Sequence, residues 1–257
     1  VLCLAADTGK ILWTFSYDAS YGDLDYGTGP RAAVTIHNGK AYGLGAVGHA
    51  FCLDGNTGKK LWFRNLEKDE KTKRPFWGYA GSPLVHNKWM LYQIGARPTG
   101  CVIALDAATG ETAWRSGEEL AGYGPPVIIR QNGRTEMICW GPDNIVGLPV
   151  GNGKELWKIP YKVKYGVSIA TPIYRDGIVL VCGYWNGSKA IRLGSKPGAA
   201  ALLWEEEETL RGLMSQPLYK DGFCYLLDRS HGLLGFFRVF RFVRRCVRLG
   251  RIDLVCL

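Results

Sequence analysis

The sequence predicts an all-β protein built from four-stranded antiparallel units repeated side by side, the architecture of a β-propeller. Three observations carry this expectation. A phrase ending in Trp returns as "CLAADTGKILW" (3–13), "CLDGNTGKKLW" (52–62), "ALDAATGETAW" (104–114) and "GLPVGNGKELW" (147–157), with a degenerate fifth copy at Trp204; Trp13, Trp62, Trp114, Trp157 and Trp204 lie 49, 52, 43 and 47 residues apart. A proline-led phrase runs out of phase with it, at Pro30, Pro83, Pro126, Pro172 and Pro217, spaced 53, 43, 46 and 45. Between them stand hairpin dipeptides. Two independent landmarks sharing a period of about 47 residues identify a repeat, in the range of propeller blades.

Each element of the unit follows from local chemistry. Proline opens a short apolar run, as a first or edge strand permits. "HNG", "QNG", "RDG" and "KDG" then turn the chain, because Asn, Asp and Gly tolerate positive φ. A second and a third β-rich run follow, the latter ending in Leu-Asp at Leu53–Asp54 and Leu105–Asp106. Thr-Gly makes the next turn, at Thr8–Gly9, Thr57–Gly58 and Thr109–Gly110; Asp and Thr side chains bond the turn backbone, and Gly takes the left-handed residue. Gly153 holds the same place in the fourth copy. The last strand carries the Trp, expected to fill the gap against the neighbouring blade. Trp13, Trp62, Trp114, Trp157 and Trp204 with Gly9, Gly58, Gly110 and Gly153 are therefore the expected blade-docking residues.

These phrases resemble the tryptophan-docking motif of pyrroloquinoline-quinone-type (PQQ-like) β-propellers, roughly A-x-D-x-x-T-G-x-x-x-W. The match is full at 104–114, and Cys52 replaces the leading Ala at 52–62. It is looser at 3–13, where Ala5 stands for Asp, and at 147–157, where Val150 replaces Asp and Asn152 replaces Thr. The resemblance covers residues 1–231 and is specific for fold rather than activity, since the family holds quinoprotein alcohol dehydrogenases and non-enzymatic envelope scaffolds alike.

Counted in units, residues 1–231 supply half a blade, four blades and another half, about five blade equivalents. The family pattern makes this part of a seven- or eight-bladed ring; two halves closing one blade would instead give five. Residues 232–257 leave the pattern where an Asp, a Thr-Gly and a Trp are due, and hold six Arg and one Asp, +5 of the chain's formal +9. The abrupt change reads as non-native sequence, such as an out-of-frame continuation. Arg238, Arg241, Arg245 and Arg248 at helical spacing leave open an amphipathic helix on an anionic membrane, and an irregular basic strand is the third reading.

Composition narrows function by exclusion. Outside the tail the positive charge is spread without a stripe, so no nucleic-acid partner is expected. The eight Cys form no CxxC and no adjacent pair, and Cys139, Cys182 and Cys224 sit in apolar runs as small buried hydrophobes. His37 and His86 fall at hairpins, with His49 and His231 elsewhere, and none has metal-ligand spacing. No run reaches the ~18–20 apolar residues of a membrane helix. No signal peptide opens the chain, and the true N-terminus is expected upstream.

The resemblance implies, for an enzyme of the family, a catalytic Asp, calcium ligands from Glu, Asn and Asp, and a disulfide between adjacent cysteines. Asp7, Asp54 and Asp106 are explained by turns, and "EEEE" at 205–208 reads as an exposed loop. No catalytic, cofactor or metal residue is therefore assigned. The expected function is a non-catalytic, monomeric binding or scaffold module of the bacterial periplasm or cell envelope. It would hold a protein, small-molecule or sugar ligand on its loop face or in its channel. Arg74, Phe76, Trp77 and Tyr79 in the long 68–83 insertion are the candidate partner-binding loop. The alternative is a fragment of a quinoprotein alcohol dehydrogenase, with PQQ and calcium as cofactors.

Overall fold

A computed structural model describes residues 1–247 apart from 23, 209, 213, 230–232 and 239–243. Strands β1 (Leu2–Leu4) and β2 (Ile11–Thr14) form a two-stranded sheet. Five four-stranded antiparallel sheets follow. Blade 1 holds β3 (Thr35–His37), β4 (Lys40–Leu44), β5 (His49–Asp54) and β6 (Lys60–Asn65), followed by the short helix α1 (Leu66–Asp69). Blade 2 holds β7 (Leu84–His86), β8 (Trp89–Gln93), β9 (Val102–Asp106) and β10 (Thr112–Ser116). Blade 3 holds β11 (Val127–Gln131), β12 (Arg134–Trp140), β13 (Asn144–Pro149) and β14 (Trp157–Pro160). Blade 4 holds β15 (Ile173–Arg175), β16 (Ile178–Cys182), β17 (Ser188–Leu193) and β18 (Ala200–Glu206). Blade 5 holds β19 (Leu218–Lys220), β20 (Phe223–Asp228), β21 (Leu233–Arg238) and β22 (Arg244–Val247). Within every blade the strands pair in chain order.

The turns explain this regularity. Asn38, Asn87, Asn132, Asp176 and Asp221, one per blade between strands 1 and 2, all have positive φ between 47° and 55°. In four blades Gly follows, also at positive φ, the pair of left-handed residues that a two-residue hairpin with the strands' own twist requires. Between strands 3 and 4, the Asp54 carboxylate accepts from the amides of Asn56 (3.1 Å) and Thr57 (2.8 Å) and from the Thr57 hydroxyl (2.8 Å). Asp106 does the same for Ala108 and Thr109.

Blades meet through the repeated Trp. Trp13 donates from Nε1 to the Gly55 carbonyl of blade 1 (3.0 Å), and Trp62 to the Ala107 carbonyl of blade 2 (3.2 Å). Their rings lie flat on the next turn's glycine: a Cβ at Gly58 or Gly110 would come within 2.6 and 2.7 Å of them. At the third joint, where Val150 and Asn152 replace Asp and Thr, Trp114 Nε1 finds no partner. Bonds from main-chain amides take over: Gly117 N donates to the Gly153 carbonyl (2.9 Å) and Arg115 N to the Asn152 side chain at Oδ1 (3.1 Å). Gly9 has nothing within 4 Å of its Cβ position. The apolar core is correspondingly a series of inter-blade layers, each joining one blade's outward residues to the next blade's inward ones.

In blade 5 the chain continues past residue 231 as strand. Leu233–Arg238 pairs with β20 and Arg244–Val247 pairs with β21, so the basic segment is β over these residues rather than helical. Phe, Val and Cys between the arginines favour extended backbone, and an edge strand tolerates positive charge. His231, Arg241 and Arg248 lie outside the described residues.

Candidate functional site

In an up-and-down sheet of four strands, the 2–3 turns and the blade-to-blade connections lie at one end, and the 1–2 and Asp-x-x-Thr-Gly turns at the other. A cleft of about 630 Å³ opens at the first end. Tyr26, Arg31, Trp77, Tyr123, Tyr165 and Met214 line it from inter-blade connections, and Trp185 from the β16–β17 turn. The lining is aromatic: Trp77 lies 5.9 Å from Tyr123 and 6.3 Å from Tyr26, and Trp185 lies 6.1 Å from Tyr165, centroid to centroid. Tyr26, Tyr165 and Met214 are 87%, 65% and 57% exposed.

These three residues share a further property. Tyr26 (φ 66°), Tyr165 (φ 58°) and Met214 (φ 38°) occupy the left-handed region, where a bulky side chain costs on the order of 1 kcal/mol. Among the described residues the other non-glycine ones at positive φ are the five hairpin residues and Lys71.

Hydrogen bonds fix the walls. The Arg31 guanidinium donates to the carbonyls of Trp77, Asp25 (2.6 Å) and Gly27 (3.3 Å), tying the connection before blade 1 to the insertion before blade 2. Trp77 N donates to the Tyr123 hydroxyl (3.2 Å), whose phenol burial holds above its ordinary pKa and so keeps neutral. Cations border the far wall: Arg229 stacks 4.0 Å and Lys164 5.0 Å from the Trp185 ring.

The four candidate loop residues separate. Trp77 is half-buried and lines the cleft, and exposed Phe76 packs edge-on against it at 5.0 Å. Arg74 is held by Glu67 through two bonds of 2.7 Å. Tyr79 is 1% exposed, bonds the Thr72 hydroxyl and belongs to the core between blades 1 and 2, its phenol pushed up to about 12 by burial. It supports the loop from beneath and offers a ligand nothing. Sequence reasoning missed Tyr26, Tyr123, Tyr165, Trp185 and Met214. All but Trp185, in the β16–β17 turn, sit in connections that the repeat does not govern, and aromatic character pointed to all but Met214.

Among the described residues no carboxylate lines the cleft, and no three of His, Cys, Asp and Glu gather to hold a metal. Its donor set therefore does not fit a calcium ion, which needs six to eight oxygens.

Comparison with known proteins places this geometry. The family model described as outer membrane protein assembly factor BamB matches residues 1–237. The chain is 27% identical over 165 residues to a 1-butanol dehydrogenase (quinone) of Thauera butanivorans, covering 58% of this chain and 25% of that protein. It is 27% identical over 177 residues to a quinoprotein ethanol dehydrogenase of Pseudomonas putida, covering 62% and 27%. The chain thus spans about a quarter of the length of these relatives. The crystal structure of BamB from Moraxella catarrhalis superposes with a TM-score of 0.53 at 21% identity, over 83% of this chain and 59% of that one, a likeness of fold. Repeat, blade topology and family match agree: the chain belongs to the PQQ-like β-propeller family, that of the outer membrane protein assembly factor BamB.

Proposed function

We propose that this chain is a binding module of the bacterial cell envelope that holds a protein or small ligand in the aromatic cleft, without catalysing a reaction on it. The carrying observation is the three bulky residues held at positive φ around one opening. Strain of that kind persists where the surroundings impose it and is concentrated at binding sites. Exposed aromatics at low entropy cost, with Arg229 and Lys164 at the border, suit a ligand with apolar and anionic parts. Placement in the envelope, and a protein as the partner, rest on the BamB family match.

A photo-crosslinking amino acid at Phe76 tests this. It is expected to give one discrete product in envelope extract, lost on Trp185→Ala with the fold intact by circular dichroism. Equal labelling in both proteins overturns the reading.

A second reading, a fragment of a quinone-dependent alcohol dehydrogenase, is favoured by the two curated relatives, and its calcium ligands would have to lie outside the cleft residues described above. Titration with PQQ and Ca²⁺ separates the two. Saturable binding with dye-linked oxidation of butanol supports the dehydrogenase, and neither signal supports the binding module.

A further inference from the structure

Four buried cysteines pair across blade boundaries. Cys101, just before β9, is 0% exposed and lies beside Cys139 on β12, also 0% exposed, in one buried layer. Cys182 on β16 (5%) and Cys224 on β20 (0%) make the same contact between blades 4 and 5. Each pair sits within a single inter-blade layer. Cys52, by contrast, is paired with the Tyr42 hydroxyl.

Of the four layers between complete blades, the two so bridged hold fewer buried residues among those described. Among the described residues, the buried layers between blades 1 and 2 and between blades 3 and 4 hold 14 and 13 residues; those with thiol pairs hold nine and seven. The 1–2 joint also has a buried carboxylate, Glu70, bound by Arg64 and Arg115. Between complete blades, a covalent link therefore falls at the two joints with fewer buried apolar residues among those described, and it would close loops of 38 and 42 residues.

We propose that Cys101–Cys139 and Cys182–Cys224 are sites of disulfide formation that staple blade 2 to blade 3 and blade 4 to blade 5. The oxidant is a disulfide, small or protein-borne. One cysteine thiolate attacks it, forming a mixed disulfide and releasing one thiol. The second cysteine then displaces the other thiol. Two protein thiols become one disulfide, two electrons pass to the oxidant, and it leaves as two thiols. In the closed fold the neighbouring thiol, then burial, raise the Cys101 and Cys224 thiols well above their ordinary range, which suppresses the thiolate. Exchange consequently proceeds while the blades are still closing, and the finished bonds are sheltered from reductants.

The test is refolding of the full chain from denaturant with reduced and oxidised glutathione, then thiol titration in denaturant and peptide mapping by mass spectrometry. Titratable thiols are expected to fall from the eight of the sequence to four, with cross-linked peptides joining Cys101 to Cys139 and Cys182 to Cys224. Oxidation should raise Tm by about 5–10 °C, with roughly half lost in Cys139→Ala and half in Cys182→Ala. Adding glutathione disulfide to the folded, reduced chain should oxidise it at least tenfold more slowly. Eight titratable thiols after refolding, or cross-links that join other cysteines, overturn the proposal.

Discussion

Tyr165 is largely exposed, so little packing is lost if its side chain is removed, whereas its backbone (φ 58°) is one that glycine adopts freely. Tyr165→Gly is expected to stabilise the protein by about 0.5–1 kcal/mol and to weaken ligand capture at the cleft. Denaturant melts alongside the Phe76 crosslinking assay check both, and a loss of stability would remove the strain argument. Glu70 shows the opposite economy. Burial alone would raise its carboxyl, but hydrogen bonds from Arg115 and Thr112 and the charges of Arg115 and Arg64 outweigh burial and lower it. Glu70→Gln takes the shared carboxylate from Arg115 and Arg64 at the joint of blades 1 and 2 and should cost about 1–3 kcal/mol, Arg115 being partly solvated and Arg64 keeping Asp69 at 3.0 Å. A carboxyl lowered on folding stabilises above its unfolded value and loses that contribution as pH falls through the folded one. The difference between Glu70→Gln and the parent should therefore shrink in urea melts taken below pH 4.5. His49, stacked on Phe63 at 5.4 Å, is lowered by burial and then by Lys68, so its contribution is present above pH 6.5 and fades below it. Stability of His49→Gln should be flatter than that of the parent between pH 7 and 5.

At the scale of the element, the Asp-x-x-Thr-Gly turn both ends a strand and receives the neighbour's indole. Gly110→Ala puts a methyl 2.7 Å from Trp62 at φ +78°, while Gly9→Ala meets nothing at φ +68°. The first should cost about 3 kcal/mol or more and the second about 1 kcal/mol, from backbone strain alone; paired chemical melts distinguish them. Both the turn and its partner strands are legible in the sequence because they repeat: Asn-Gly and Asp-Gly specify left-handed backbone, and Thr-Gly precedes Trp by a constant distance. The cleft is not legible in that way. Apart from Trp185 its named side chains come from connections between blades, and which of two neighbouring aromatics turns inward depends on tertiary packing. Tyr79 enters the core while Phe76, three residues earlier, stays in solvent. The strands at Leu233–Arg238 and Arg244–Val247 were hidden for a related reason, since their pairing is a main-chain property that the missing Thr-Gly and Trp do not report.

At the scale of the molecule, stability is close to a sum over nearest-neighbour layers, because among the described residues the buried layers join adjacent blades, with Trp77 of the 68–83 insertion reaching the layer between blades 3 and 4. Amide exchange should follow that order: β8, β9, β12 and β13, covered on both sides, should exchange most slowly. The two-stranded sheet β1–β2, with Leu2, Leu4, Ile11 and Leu12 in solvent, should exchange fastest. Uniform protection across all sheets would contradict a nearest-neighbour fold. The topology adds one more consequence. In blades 1 to 4 the turns between strands 3 and 4 occupy one end and the cleft residues the other, so the two sets of loops share no residue. The cleft rim is in effect an exchangeable cassette: selection, or a combinatorial library, can rewrite recognition at residues such as Tyr26, Phe76 and Tyr165 while the joints that assemble the blades keep their spelling.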